Sequence, residues 1–181
     1  MSKTALIVID MITPYDHPDA EQLLPSAEKV VPSISRLIDR ATEEKVPVVY
    51  VNDNFGSWTS NRDSIYQAAM EGKARHLVEP LKPAEDTMFI VKARHSIFFQ
   101  TPLEYLLGQL EATRLVLTGQ VTEQCVLYSA LDAHIRHHEV VIPKDAVACI
   151  HEGLAEAALE MMELNMGAHV CSADSVDFAP E

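Results

Sequence analysis

An apolar strand runs through a turn into a helix along Leu115-Val116-Leu117-Thr118-Gly119-Gln120-Val121-Thr122-Glu123-Gln124-Cys125-Val126-Leu127. The run from Leu115 to Leu117 is typical of a buried strand, and helical spacing begins at Val126. Cys125 therefore lies at a strand-to-helix turn. Backbone N–H groups at a helix N-terminus are unpaired and carry partial positive charge, so we expect the Cys125 thiol to tend toward the thiolate, the form that attacks carbon.

Two other apolar runs end in a charged side chain. Residues 5–9 lead into Asp10, and residues 88–91 lead into Lys92. In a parallel sheet the carboxyl ends of all these strands lie at one edge, where an acid, a base and a nucleophile can meet. The sequence therefore predicts one site that contains Asp10, Lys92 and Cys125.

Strand-type and helix-type stretches alternate along the whole chain. The predicted strands are 5–9, 47–51, 88–91, 115–117, 140–142 and 168–170, and the predicted helices are 26–44, 62–70, one that starts at 101, 123–137 and 152–164. Ser26 is the predicted N-cap of the first helix. Because the strands are near-continuous apolar runs, the pattern predicts an α/β fold, a three-layer αβα sandwich around a six-stranded, mainly parallel, Rossmann-like sheet.

Length and composition narrow the classes of protein to consider. The 181 residues fit a single domain, 1–181, and the net charge of −13 argues against nucleic acid or an anionic membrane as partner. No apolar run is long enough to span a bilayer. The 3 cysteines are an odd number without the spacing of a disulfide framework or a zinc site, so we expect a cytoplasmic protein.

The three side chains at the strand ends can take different roles in one reaction. Cys125 is the candidate nucleophile, and Asp10 can accept its proton and later pass it to a leaving amine. Lys92 can stabilise the thiolate and keep Asp10 ionised. Backbone amides in the turn before Cys125 can bind the oxyanion that forms when the sulfur adds to a carbonyl group.

In order and spacing, these residues are similar to the isochorismatase-like cysteine hydrolase family. The matching motifs are Ala5-Leu6-Ile7-Val8-Ile9-Asp10-Met11, then Val91-Lys92-Ala93-Arg94-His95-Ser96-Ile97-Phe98 with Thr101 and Leu103, then Thr118-Gly119 through Thr122 to Cys125-Val126. The resemblance implies an Asp-Lys-Cys triad at Asp10, Lys92 and Cys125. It also implies a cis peptide bond between Gln120 and Val121, with the amides of Val121 and Cys125 forming the oxyanion hole.

The chain also departs from parts of this family. Nicotinamidases of the family bind a metal through an Asp-x-His pair, and here Asp53 matches the acid while Phe55 stands at the histidine position. The resemblance therefore implies a site without metal or other cofactor. Members that hydrolyse isochorismate lack the cysteine, so Cys125 favours amide-type chemistry on a small-molecule substrate, through a covalent thioester. The alternative is a non-catalytic or redox-responsive protein of the same fold in which Cys125 is oxidisable.

Side chains near the predicted strand ends are candidates for substrate contact. Phe55 and Trp58 follow the second strand, and the guanidinium of Arg62 could bind a carboxylate. The other candidates for the pocket wall are Tyr15 and Phe98, with His17, Arg94 and His95 as open alternatives between substrate contact and a structural role. Relatives commonly assemble, so the resemblance also implies a homo-oligomer.

Overall fold

Strands and helices alternate through residues 3–179, which are the residues that the computed structural model describes. The strands are β1 (Lys3–Ile9), β2 (Val48–Asp53), β3 (Met88–Lys92), β4 (Ala112–Gln120), β5 (Glu139–Pro143), β6 (Val147–Ala148) and β7 (His169–Cys171). The α-helices are α1 (Ala20–Glu43), α2 (Arg62–Glu71), α3 (Arg75–Val78), α4 (Leu103–Leu110), α5 (Leu127–Ile135) and α6 (Glu152–Met166).

All pairings in the sheet are parallel. The strand order is β3-β2-β1-β4-β5-β7, and β6 pairs with β4 beside this path. The predicted α/β fold is thus confirmed. The six predicted strands make up the main path, and the two-residue strand β6 adds a seventh. Its brevity left no periodic signal in the sequence.

Helices cover both faces of the sheet, and each face has its own apolar core. Along β1, Leu6 and Val8 pack toward α1, α2 and α3, whereas Ile7 and Ile9 pack toward α4, α5 and α6. Because both sets of side chains are buried, the sequence of the strand is a continuous apolar run and does not alternate between apolar and polar residues. The sequence signal for a covered parallel sheet therefore has a direct structural cause.

The first helix starts earlier than predicted. It begins at Ala20 and contains both Pro25 and Pro32, so Ser26 lies inside the helix and is not its N-cap. The Ser26 hydroxyl instead accepts a hydrogen bond from the backbone N–H of Cys149 at 3.0 Å, which connects α1 to the segment after β6. Among the described residues, no helix is long and apolar enough to cross a membrane.

Candidate active site

The structure brings the Asp10, Lys92 and Cys125 side chains together at the carboxyl edge of the sheet. The ammonium nitrogen of Lys92 lies 2.8 Å from Oδ2 of Asp10. It lies 3.6 Å from the Cys125 sulfur, within hydrogen-bonding distance. Lys92 thus contacts both partners at once, and its side chain is completely buried.

The sheet register explains this convergence. Asp10 directly follows β1, Lys92 ends β3, and Asp53 ends β2 between them, in register with Lys92. The Asp10 backbone has a φ of 55°, in the left-handed region, which turns the chain away from the strand direction. Oδ1 of Asp10 then accepts a hydrogen bond from the backbone N–H of Asp53 at 2.7 Å.

Asp53 belongs to the same charged group. Its Oδ2 lies 3.5 Å from the Lys92 nitrogen, so two carboxylates flank one ammonium. Its Oδ1 accepts the backbone N–H of Phe55 at 2.7 Å. Sequence reasoning considered Asp53 only as part of a metal motif, although its position at the end of a strand beside Lys92 was a signal for this contact.

The electrostatics of the three groups favour a neutral thiol at rest. Burial and then the Asp10 charge raise the pKa of Cys125 to about 12, and the nearby Lys92 only partly offsets them. The expected tendency toward the thiolate is therefore not what the resting geometry favours. The physical reason is that the sulfur lies in a largely buried turn, where desolvation outweighs the favourable neighbouring charge.

The two charged partners differ in how burial affects them. Burial raises the pKa of Asp10 above its ordinary value, against the lowering effect of Lys92. For Lys92, burial lowers the pKa, but its acidic neighbours Asp10, Cys125 and Asp53 together raise it above the ordinary value. The ammonium therefore stays charged, and the raised pKa makes Asp10 a stronger proton acceptor than an ordinary aspartate.

The Cys125 turn is a single π-helical turn, Thr122–Val126, that leads directly into α5. The peptide bond between Gln120 and Val121 is cis. One carboxylate oxygen of Glu123, which is buried, accepts the backbone N–H groups of Ile150 and His151 at 3.0 and 2.8 Å. Since His151 is the N-cap of α6, this contact joins the Cys125 turn to that helix.

A cavity of about 210 Å³ opens above the sulfur. It is lined by the buried Asp10 and Val121, the half-buried Cys125 and the exposed Phe55. Thr13, Asp19, Gln124 and Ile150 also line the cavity, and sequence reasoning missed them. Gln124 could have been found from its place next to Cys125, whereas Asp19 and Ile150 lie in connections whose path no local pattern predicts.

The side chains that were expected at the pocket wall lie in several places. Phe55 lines the cavity, and His17 and His95 do so as well. Trp58 is 87% exposed and lines a neighbouring cavity of about 480 Å³, with Arg94.

The structure does not bring Tyr15, Phe98 or Arg62 to the cavity. Tyr15 is buried, and its hydroxyl donates to the side-chain oxygen of Gln120. Phe98 is buried in the core between the sheet and α5. The Arg62 guanidinium donates to two backbone carbonyls after α3 and pairs with a neighbouring carboxylate. Apolar burial and these polar contacts thus account for the positions of all three side chains.

Comparison with known proteins gives consistent matches. The Isochorismatase domain model matches residues 4–175. The uncharacterized isochorismatase family protein YaaI of Bacillus subtilis (strain 168) is 32% identical over 178 residues, which cover 97% of this chain and 98% of that protein. N-carbamoylsarcosine amidase from an Arthrobacter species is 25% identical over 186 residues, covering 97% of this chain and 70% of the relative.

A solved structure has the same architecture. The crystal structure of N-carbamoylsarcosine amidase from Thermoplasma acidophilum matches with a TM-score of 0.74 and 25% sequence identity. The match covers 97% of this chain and 99% of that one.

Proposed function

Since the chain belongs to the isochorismatase family, we propose that it is a cysteine hydrolase that cleaves an amide-type C–N bond of a small molecule at Cys125. The observation that carries the proposal is the contact of one buried ammonium, that of Lys92, with both the Asp10 carboxylate and the Cys125 sulfur. The amidase relatives support the reaction class.

The first half of the reaction forms a thioester. Asp10 takes the proton from the Cys125 sulfur as the sulfur adds to the carbonyl carbon, and the electron pair of the C=O bond moves to oxygen. The amides of Val121 and Cys125 stabilise this oxyanion. When the C=O bond re-forms, the C–N bond breaks, and the leaving nitrogen takes the proton that Asp10 holds.

The second half regenerates the thiol. Asp10 takes a proton from water as the water oxygen adds to the thioester carbon, and collapse of this intermediate breaks the C–S bond. The acid product leaves, and the sulfur recovers its proton from Asp10. Because the resting thiol has a raised pKa of about 12, removal of its proton by Asp10 is an essential step.

A cysteine substitution series tests the proposal. Cys125→Ala should abolish turnover in a screen of carbamoyl, lactam and carboxamide compounds. Cys149→Ala and Cys171→Ala are matched controls because they remove the other two free thiols, and both should retain turnover. Full turnover by Cys125→Ala would contradict the proposal. Lys92→Ala should slow the alkylation of Cys125 near neutral pH, because the ammonium lowers the pKa of the thiol. An unchanged rate would favour the non-catalytic alternative.

We also propose that this single-domain enzyme is a cytoplasmic homo-oligomer that associates through an α5–α6 face. This face consists of the exposed side chains of Tyr128, Leu131, Ile135, Leu154, Ala157, Met161 and Leu164. They repeat at three- and four-residue spacing on two neighbouring helices, so they form apolar stripes on the molecular surface.

The shape of the α5–α6 face supports a second copy of the chain as the partner, because the same apolar side chains can serve both sides of one interface. In a two-fold arrangement, the apolar stripes of one copy pack on those of the other, and Glu156, Glu160 and Glu163 lie beside the stripe on α6.

A further inference from the structure

The cavity above Cys125 has an unbalanced charge. Asp10 and Asp53 share a single ammonium, that of Lys92, at 2.8 and 3.5 Å. Asp19 also lines the cavity, is exposed, and has no ion-pair partner among residues 3–179. Three carboxylates therefore face one cation, in a chain that is itself strongly acidic.

The basic side chains near the site do not correct this imbalance. Arg62 is held by backbone carbonyls in another part of the structure. Arg94 lines the neighbouring cavity with Trp58. Among the described residues that line this cavity, the basic side chains are His17 and His95. A bound carboxylate or phosphate would therefore meet three carboxylates, and no lysine or arginine of the described residues lines the cavity to receive it.

The exposed ring at the cavity adds a feature that favours cations. Phe55 has a φ of 48°, in the left-handed region that a bulky side chain rarely adopts. The Asp53 carboxylate stabilises this conformation by accepting the Phe55 N–H. The ring remains 47% exposed beside the carboxylates, and an aromatic face attracts a cationic group.

From these observations we infer that the enzyme prefers small amides that carry a positive charge on the part of the molecule away from the scissile bond. The inference rests on the proposed hydrolase function and names its substrate class. The reacting carbonyl lies at Cys125, and the charged end lies toward Asp19 and Phe55. The cavity of about 210 Å³ beside the sulfur is the space that such a small substrate would occupy.

Three amides of similar size test this charge preference. β-Alaninamide is cationic, butanamide is neutral with a methyl group in place of the ammonium, and succinamate is anionic. We expect kcat/KM to decrease in that order, with about tenfold or more between the first and the last at low salt and a smaller ratio at high salt. Equal rates, or a preference for succinamate, would overturn the inference.

A single substitution identifies the source of the preference. Asp19→Asn should lower the ratio of kcat/KM for β-alaninamide over butanamide by about threefold to tenfold, whereas a purely structural effect would lower both values together. Asp16→Asn is the matched control, because it makes the same change in the same loop at an exposed acid outside the cavity, and it should leave the ratio unchanged. An unchanged ratio in Asp19→Asn would contradict the role of Asp19 in the charge preference.

A second measurement separates the failure of this inference from the failure of the proposed function. Cys125 can be modified with cationic aminoethyl, neutral methyl and anionic sulfonatoethyl methanethiosulfonates, with rates read by peptide mass mapping and normalised to those of a small thiol. Faster reaction of the cationic reagent supports the inference, and equal or faster reaction of the anionic one overturns it. If the cationic reagent is preferred but none of the amides is hydrolysed, the hydrolase proposal fails while the cation preference of the cavity stands.

Discussion

Lys92 is a charged group with no exposed side-chain surface, and its environment explains why it tolerates burial. Removing an ammonium group from water costs several kcal/mol, so a buried lysine needs close opposite charges. Asp10 and Asp53 supply them from two neighbouring strand ends. The same arrangement keeps the carboxylate of Asp10 beside the sulfur from which it must take a proton.

Asp53 should influence the pH dependence of the reaction through Asp10. Its negative charge is one of the causes that raise the pKa of Asp10, and a like charge disfavours ionisation. Catalysis needs ionised Asp10, so activity should fall as the pH decreases through the Asp10 pKa. Asp53→Asn should therefore move the acid limb of the kcat/KM profile to lower pH.

Measurement of kcat/KM across the acid range checks this prediction. Asp39→Asn, at an exposed position on α1, is the matched control and should leave the acid limb in place. A shift to higher pH in Asp53→Asn would show that lost contacts in the turn outweigh the charge effect, and the electrostatic account of Asp53 would then be wrong.

At the scale of elements, β4 must approach β1 closely to place the Cys125 turn. Gly119 pairs with Ile9 in register and has a φ of 110°. A Cβ atom at this position would lie 2.0 Å from the carbonyl oxygen of Ile9. Neither the backbone conformation nor the space between the strands therefore accepts a side chain.

Gly119→Ala should lower the free energy of unfolding by more than about 3 kcal/mol, because strain and a backbone clash act together. Gly153→Ala is the matched control: its Cβ would meet nothing within 4 Å, and it lies in the first turn of α6. We expect that control to be neutral or to gain up to about 1 kcal/mol. Urea denaturation of both variants measures the difference, and equal stabilities would contradict the role of Gly119.

The strands and helices also indicate how much of the fold and of the candidate site the sequence alone predicts. Continuous apolar runs predicted the sheet, and charges directly after those runs predicted that Asp10 and Lys92 meet at its edge. The start of α1 was missed because its first turns contain Pro25, which local rules count against a helix. The placement of Arg62 and Tyr15 depends on tertiary contacts with distant residues, and these leave no local pattern.

At the scale of the whole molecule, the two faces of the sandwich differ in what their outer helices expose. On one side α1 carries its apolar residues inward and leaves polar residues such as Gln22 exposed. On the other side the α5–α6 face leaves Ile135 61% and Leu164 71% exposed. Exposure of such apolar stripes to water is unfavourable. The asymmetry therefore supports association through α5 and α6 and not through α1.

Leu164→Glu should therefore dissociate the proposed oligomer, since it places a charge in an apolar contact beside the acidic residues of α6. Gln22→Glu adds the same negative charge on α1, on the opposite face of the sheet, and should leave the assembly intact. Sedimentation velocity over a range of protein concentrations distinguishes the species, and circular dichroism checks that both variants remain folded. A monomeric parent protein, or a folded Leu164→Glu variant that keeps the parent's assembly, would refute the proposed α5–α6 interface.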